Sequence, residues 1–281
     1  IKIVGDQLVI TADGAIKANT FTLTDPNRIV IDIPDSKLGT ILNGEPSQLS
    51  GQIASTHPHI QRVRYSLFSD NPSQVRLVVD LNQAVQYSLI PTNDPNQIIL
   101  NISSKTFQVV LDAGHGGKDP GATAYSGAYE KDFTLSLTLK VYQLLLEEPF
   151  ITPVLTRADD TYVELDERPE IANRIDADLF LSIHGNTYIP SVNGTETYYY
   201  STESKYFADV VHRHVVEATG FRDRGVRQEI YTVLRLANMP AALLEVGYLS
   251  NQEQEALLYD SNFQDKIARA IVEAIKEYLQ L

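Results

Sequence analysis

The stretch "VVLDAGHGGKDPGA", from Val109 to Ala122, joins a run of apolar residues to a glycine-rich bend that carries one histidine, His115. The apolar run predicts a buried strand, and the glycines predict a sharp turn after it. The bend is not a Walker A loop, because Lys118 is followed by Asp119 rather than by Ser or Thr, and it lacks the G-x-G-x-x-G order of a dinucleotide fingerprint. Taken alone, His115 is as consistent with a local hydrogen bond as with a functional role.

The segment that follows this strand alternates between predicted strands and predicted helices. Apolar residues recur at helical spacing from Glu130 to Glu148 and again near the C-terminus, whereas "DLFLSIHGN" and "AALLEVGYLSN" begin with buried strands. A further helix is expected to end at Gly220, and another, "ELDERPEIANRID", is interrupted early by Pro169. This alternation predicts an α/β domain with a mostly parallel sheet and helices on both faces.

The first part of the chain, up to about Ser104, has a different pattern. Short runs rich in β-branched and aromatic residues, such as "NRIVIDIP", "VRLVVDL" and "QIILNIS", are separated by the turn-forming segments "DPN", "NGEPS", "DNPS" and "TNDPN". Short strands at this spacing predict a smaller, all-β domain of the sandwich type. We therefore expect a β-rich domain over residues 1–104 and an α/β domain over residues 107–281, joined by a short linker within "SSKTF".

The composition of the 281 residues restricts the classes of function. A net charge of −13 and a pI near 4.8 argue against a nucleic-acid partner. The absence of cysteine excludes thiolate metal ligands, a cysteine nucleophile and disulfides. No segment of the sequence approaches the length of a transmembrane helix. The chain begins at Ile1 without a signal-peptide pattern, so we expect a processed or trimmed form.

Three predicted strands finish on a titratable side chain, namely His115, His184 and Glu245, and Glu130 opens the long helix after the bend. In a parallel sheet the carboxyl ends of the strands meet at one edge, where ligands bind. Two imidazoles and a carboxylate suit a catalytic zinc ion, and a second carboxylate could act as a base on water. Two glycine-flanked histidines at strand ends favour this metal site over the local interpretation of His115.

The other histidines are expected to be surface or structural residues. His57 and His59 lie in the β-rich segment without an acidic neighbour in the sequence, and His212 and His214 point to different sides of one helix. The tyrosines of "TETYYYST" could stack on sugar rings, but alternating aromatic residues in a strand more often pack in a core.

Three arginines and one aspartate are further candidates near the predicted site. Arg157, Arg168 and Arg174 could bind substrate carboxylates, although a solvent-exposed helix face is the favoured position for Arg168 and Arg174. Asp112 could accept a hydrogen bond from the free ring nitrogen of a histidine or could cap the glycine bend. The sequence does not decide between these two roles.

From Val109 to the C-terminus, the chain resembles the zinc-dependent N-acetylmuramoyl-L-alanine amidases, which are cell-wall hydrolases. The matching segments follow the family's order and include "LDAGHGGKDPGA", "EKDFTLSL", "LTRADDTYVELDERPEIAN", "ADLFLSIHGN", "GTETYYY" and "VLRLANMPAALLEVGYLSN". The first hundred residues resemble, more weakly, the β-rich AMIN domain that accompanies such amidases, through "NRIVIDIP" and "SQVRLVVDLNQAVQYSLIP".

The resemblance implies a zinc ion bound by His115, Glu130 and His184, with Glu245 as the catalytic carboxylate. It implies hydrolysis of the amide between N-acetylmuramic acid and the L-alanine of the peptidoglycan stem peptide, in cell-wall remodelling or daughter-cell separation. It further implies export to the periplasm or cell envelope, where the AMIN-like domain would bind peptidoglycan or recruit envelope and division-site proteins.

Two other classes of function stay open at this point. A zinc peptidase could cut a different amide on a related α/β scaffold, since ligand sets are reused across folds. A non-catalytic envelope protein could retain a degenerate amidase domain. The presence of all four residues His115, Glu130, His184 and Glu245 argues against the second alternative.

Overall fold

The computed structural model describes residues 1–39, 41–42, 45–46 and 50–281. The chain divides into two compact units, Ile1–Lys105 and Thr106–Leu281. The predicted turn "NGEPS" falls at positions 43–47, and only residues 45 and 46 of it are among the described residues. Within the described ranges, no helix is long and apolar enough to cross a membrane.

The first unit consists of β-strands. They are β1 (Lys2–Val4), β2 (Gln7–Thr11), β3 (Asn19–Leu23), β4 (Arg28–Pro34), β5 (Ile41–Leu42), β6 (Glu45–Pro46), β7 (Ser50–Ala54), β8 (Ile60–Asp70), β9 (Ser73–Leu81), β10 (Val85–Ile90) and β11 (Gln97–Ser104). A four-stranded sheet has the order β1-β2-β11-β10, a five-stranded sheet has the order β3-β4-β9-β8-β7, and β5 pairs with β6. All pairings in these sheets are antiparallel.

The two larger sheets of this unit share one core. Leu8 and Leu100 of the four-stranded sheet pack in the same cluster as Ile31, Val63 and Leu77 of the five-stranded sheet. Along β4 and β9 these core residues alternate with residues on the other face, which is the period-2 pattern of a strand with one face in the core. The predicted all-β sandwich is therefore confirmed.

The second unit alternates between strands and helices. Its elements are β12 (Phe107–Ala113), α1 (Glu130–Leu146), β13 (Ile151–Leu155), α2 (Glu167–Arg174), β14 (Leu179–Asn186), β15 (Thr195–Tyr199), a 3-10 helix (Thr202–Ser204), α3 (Lys205–Thr219), β16 (Asp223–Gln228), α4 (Thr232–Arg235), β17 (Ala241–Tyr248), α5 (Gln252–Leu258) and α6 (Ser261–Leu279). Gly220 ends α3 in the left-handed conformation, with φ of +67°, as the sequence predicts. Pro169 lies in the first turn of α2, where a proline is tolerated.

The sheet of this unit has six strands in the order β13-β12-β14-β17-β15-β16. Four of its five pairings are parallel, and only β15 with β17 is antiparallel. Val109 and Leu111 pack with α1, α3 and α6 in one core cluster, whereas Val110 packs with residues of α2 and α4 in another. Because successive residues of a strand face opposite sides, the helices cover both faces. The predicted α/β fold is confirmed.

Candidate active site

The carboxyl ends of β12, β14 and β17, which are adjacent in the sheet, carry the candidate site. His115 follows β12 by two residues, His184 lies on β14 and Glu245 lies on β17. His184 and Glu245 are opposite one another in the parallel pairing of their strands. Glu130, the first residue of α1, lines the same pocket as these three residues. The structure thus brings together all four residues that the sequence pointed to.

Glu130 lies between the two histidines. Its Oε2 is 3.0 Å from Nε2 of His115, and its Oε1 is 2.9 Å from Nδ1 of His184. The two imidazole rings are nearly perpendicular, with their centres 4.9 Å apart. The backbone N–H groups of Ala122 and Gly185 also donate to Glu130. This buried carboxylate therefore has partners on both oxygens.

These contacts shift the pKa values of Glu130 and His115. Burial by itself would raise the pKa of Glu130, but hydrogen bonds and charges from His115 and His184 outweigh it and hold the pKa well below its usual range. Burial would lower the pKa of His115, whereas Glu130 and Asp119 raise it by more. Glu130 is therefore held in its ionised form. Its negative charge favours a positive neighbour, which can be a protonated imidazole or a metal cation.

The cluster has the donor set of a zinc site. One ligand atom from each of His115, Glu130 and His184 lies within 4.8 Å of the others. Ligand atoms around tetrahedral zinc are about 3.4 Å apart, given bonds of about 2.0–2.1 Å. Imidazole nitrogens suit zinc better than calcium or magnesium, which prefer oxygen ligands. The residues present therefore fit a zinc ion.

Asp119 accounts for the orientation of the His115 ring. Its Oδ2 is 2.8 Å from Nδ1 of His115, and the other ring nitrogen, Nε2, faces Glu130. A carboxylate on the far nitrogen of a metal-binding histidine fixes its tautomer and ring orientation. This role was missed in the sequence, although the spacing of four residues between His115 and Asp119 offered a local clue.

Asp112 has a different role from either of those predicted. It is fully buried, and its carboxylate accepts hydrogen bonds from the Thr156 hydroxyl, the Ser182 hydroxyl and Nη1 of Arg168 at 2.6–2.8 Å. The predicted exposed position of Arg168 is wrong: its side chain is buried because it forms an ion pair with Asp112. Arg174, in contrast, is exposed as predicted.

Arg157 is also buried and donates to the protein's own backbone. Its Nε donates to the carbonyl of Ala113 and its Nη2 to the carbonyl of Gly114, both at 2.9 Å. Its Nη1 donates to the carbonyl of Asp159. With its donors used in this way, Arg157 is a structural residue of the bend rather than a group that binds substrate carboxylates.

Glu245 differs from Glu130 in having an unpaired carboxylate oxygen. Its Oε2 is inaccessible to solvent and has no hydrogen-bond partner among the described residues. Burial, with the negative charges of Glu130 and Glu196, raises the pKa of Glu245 well above its usual range. A buried polar atom without a partner costs free energy, and such atoms are concentrated at functional sites.

Glu196 is a buried carboxylate that the sequence pattern did not identify. It lies opposite Glu245 in the antiparallel pairing of β15 with β17. Its hydrogen-bond donors are Nδ2 of Asn186, the hydroxyls of Tyr198 and Tyr248, and Nε of Arg224. Burial would raise the pKa of Glu196, but these partners lower it below its usual range. A glutamate between two threonines of a buried strand is the clue that could have revealed it.

A pocket of about 400 Å³ opens onto these residues. It is lined by both histidines, by Glu130 and Glu245, and by the more exposed side chains of Leu165, Ile230 and Tyr231. Convergent polar groups within a partly apolar pocket are typical of a ligand site.

The four remaining histidines have structural contacts. These contacts are His57 with Asp6, His59 with Ser104, His212 with Thr197 and Asp223, and His214 with Glu277. Asp6 is 51 residues from His57, so the sequence pattern did not reveal this acidic neighbour. Tyr198 of the "TETYYYST" segment is buried in the core, which agrees with the packing role favoured for these tyrosines.

Two glycines leave room for the side chains of the site. A Cβ atom at Gly114 would lie 2.3 Å from Cε1 of His184. A Cβ atom at Gly121 would lie 2.6 Å from both Oε2 of Glu130 and Cδ2 of His115. Gly121 also has φ of +67°, which a side chain disfavours. Both positions therefore require glycine for a steric reason.

We expect Gly121→Ala to weaken zinc binding roughly tenfold or more, because the added methyl group displaces Glu130 or His115. Competition with a chromogenic chelator measures this affinity. Gly127→Ala is the matched control, because Gly127 lies in the same connection between β12 and α1, with φ of +95°, but its Cβ would meet nothing within 4 Å. Equal zinc affinities of the two variants would contradict the steric explanation.

Solved structures similar to this chain include N-acetylmuramoyl-L-alanine amidases. The catalytic domain of CwlV, an N-acetylmuramoyl-L-alanine amidase from Bacillus (Paenibacillus) polymyxa var. colistinus, is 48% identical, with a TM-score of 0.61 over 62% of this chain and 99% of that chain. The N-acetylmuramoyl-L-alanine amidase AmiC2 of Nostoc punctiforme is 40% identical, with a TM-score of 0.60 over 62% of this chain and 98% of that chain.

Sequence relatives agree with the structural ones. LytH of Staphylococcus aureus, named a probable cell wall amidase, is 39% identical over 173 residues, which are 60% of this chain but only 57% of LytH. The match thus spans little more than half of that relative. The sequence model of the AMIN domain family matches residues 3–102 of this chain. The sequence model of the N-acetylmuramoyl-L-alanine amidase family matches residues 109–277. The chain belongs to the N-acetylmuramoyl-L-alanine amidase family and carries an AMIN domain before its amidase domain.

Proposed function

We propose that this protein is a zinc-dependent enzyme that hydrolyses the amide between N-acetylmuramic acid and the L-alanine of the peptidoglycan stem peptide. The observation that carries the proposal is that one pocket holds both a zinc donor set and a separate carboxylate. The donor set is His115, Glu130 and His184, and the carboxylate is Glu245 with its unpaired Oε2. Three protein ligands that leave a position open for water are typical of catalytic zinc sites, and a nearby carboxylate can act as the general base.

The mechanism assigns a proton transfer to Glu245. When bound, zinc would polarise the scissile carbonyl and lower the pKa of a water molecule to about 7. The carboxylate of Glu245, which lines the pocket, accepts a proton from the attacking water and delivers it to the leaving nitrogen. The new carbon–oxygen bond forms first, by addition to the carbonyl carbon. The carbon–nitrogen bond then breaks as the nitrogen takes up the proton, which leaves a carboxylate on the lactyl group and a free amine on alanine.

We expect Glu245→Gln to lower the rate of peptidoglycan hydrolysis by about 10²–10⁴-fold, because glutamine has nearly the same shape but cannot accept the proton. The measurement is digestion of purified peptidoglycan, with the released fragments identified by mass spectrometry. Zinc affinity serves as the control and should be retained, because the other three residues form the donor set.

The products of the parent protein decide between classes of enzyme. Intact stem peptides with a free L-alanine amine are the expected result. Shortened stem peptides would instead identify a peptidase, and full activity in Glu245→Gln would remove Glu245 from the mechanism.

We expect zinc affinity to fall as the pH is lowered, because an imidazole must be neutral to bind the metal. Burial lowers the pKa of His115, but Glu130 and Asp119 raise it by more, so the protonated form persists above the ordinary value of 6.5. The loss of affinity should therefore begin above pH 6.5. Zinc titrations at a series of pH values test this, and Asp119→Asn should move the onset to lower pH. An onset that Asp119→Asn leaves unchanged would contradict the assignment.

We further propose that the AMIN domain holds the enzyme at the cell envelope by binding peptidoglycan. The net charge of −13 repels a polymer that also carries carboxylates, so long-range attraction cannot retain the enzyme there. Local contacts made by a dedicated domain would solve this problem. Location in the periplasm, a role in remodelling or in daughter-cell separation, and division-site partners stay predictions.

Co-sedimentation with purified peptidoglycan tests the role of the AMIN domain. Both the full chain and a chain of residues 106–281 should carry Glu245→Gln, so that neither digests the polymer. We expect the shorter chain to sediment in a smaller fraction, because it lacks the local contacts. Equal sedimentation of the two chains would contradict a targeting role for the first unit.

A further inference from the structure

Three successive backbone carbonyls of the bend, those of residues 113–115, accept hydrogen bonds from two buried arginines. Arg157 donates to the carbonyls of Ala113 and Gly114. Arg168 donates from Nη1 to the carbonyl of Ala113 at 2.7 Å and from Nη2 to the carbonyl of His115 at 2.8 Å. Of these two arginines, Arg168 therefore holds the peptide unit of His115 itself.

Arg168 is itself held from two sides. Its Nη1 donates to Oδ1 of Asp112 at 2.8 Å, and its Nε donates to the carbonyl of Val163 at 3.1 Å. The other carboxylate oxygen of Asp112 accepts from Ser182, which lies two residues before His184 on β14. The ion pair of Asp112 and Arg168 thus connects the bend that carries His115 with the strand that carries His184.

The backbone of His115 needs such support. Its φ is +61°, in the left-handed region that only a few per cent of residues other than glycine adopt, although histidine is among the residues found there more often. A residue stays in this region only where surrounding contacts fix it. The carbonyl of His115 is fixed by Arg168, and its imidazole is fixed by Asp119 and Glu130. The contact with Arg168 fixes the backbone of His115, and the position of the backbone determines where the imidazole ring lies.

We propose that Arg168 is a positioning residue that holds His115 in its left-handed conformation, so that the imidazole is in place before a metal ion binds. The inference rests on the proposed zinc-dependent function, because it assigns His115 to the metal. In this role Arg168 acts through the backbone of His115 and not on the metal or the substrate. Arg168 reduces the free energy needed to organise the donor set when zinc binds. Loss of Arg168 therefore lowers zinc affinity.

The test is the zinc affinity of Arg168→Lys, measured by chelator competition on the full chain. Lysine keeps the positive charge beside Asp112, but its single ammonium group cannot reproduce the planar fork that spans Asp112 and the carbonyls of the bend. We expect zinc affinity to fall by about 10–100-fold, as for other residues that orient metal ligands.

Core variants control for a general loss of stability. Ile271→Val and Ile271→Ala on α6 remove buried methyl groups from the core and leave the bend unchanged. The first is expected to lower the melting temperature slightly and the second more strongly, so that the melting temperature of an Arg168 variant can be compared with both. Their zinc affinities should equal that of the parent. If Arg168→Lys does not fold, the double variant Asp112→Asn/Arg168→Gln removes both buried charges together, and the same loss of affinity is expected.

Parent-like zinc affinity in a folded Arg168 variant would overturn the inference, as would a loss no larger than that of an equally destabilised Ile271 variant. Both results would leave the proposed function intact, because the parent would still bind zinc. A parent that binds no zinc would overturn the proposed function and this inference together.

Discussion

Carboxylates buried in the α/β unit impose the constraint on which its site depends. Removing such a group from water costs several kcal/mol unless donors or positive groups compensate it. Glu130 is compensated by two imidazoles and two backbone N–H groups, Asp112 by an arginine and two hydroxyls, and Glu196 by five side chains, two of them arginines. In each case the carboxylate contacts residues of other strands, helices or loops, and these contacts connect those segments at the carboxyl edge of the sheet. Within the described residues, Oε2 of Glu245 lacks such a partner.

The fold could be predicted wherever the apolar pattern was strong. β12, β14 and β17 are almost entirely buried, and their continuous apolar runs bounded by turn residues identified them. The helices α1, α3 and α6 were recognised from apolar residues at helical spacing. β16 was missed because its sequence, "DRGVRQ", includes no buried residue and so has no apolar alternation. The helices α4 and α5 are too short for a periodic pattern.

The residues at the strand ends could be found from the sequence, but their partners could not. Arg168 and Asp112 are 56 residues apart, and a charged residue on a predicted helix is normally assigned to solvent. The ion pair with Asp112 instead places Arg168 in the interior of the protein. Asp119 is only four residues from His115, but whether the two meet depends on the conformation of the glycine bend. The positions of the strand ends therefore pointed to the candidate residues but not to the contacts that hold them in place.

Glu130 and His184 are 54 residues apart in the chain and meet only because α1 packs against β14. An unfolded chain has no comparable arrangement, so zinc bound as proposed above would also stabilise the folded state. Free zinc at a hundredfold excess over its dissociation constant would add about 2.7 kcal/mol to the free energy of unfolding. The supply of zinc around the protein would then govern how long the folded enzyme survives proteases, a form of control that requires no inhibitor.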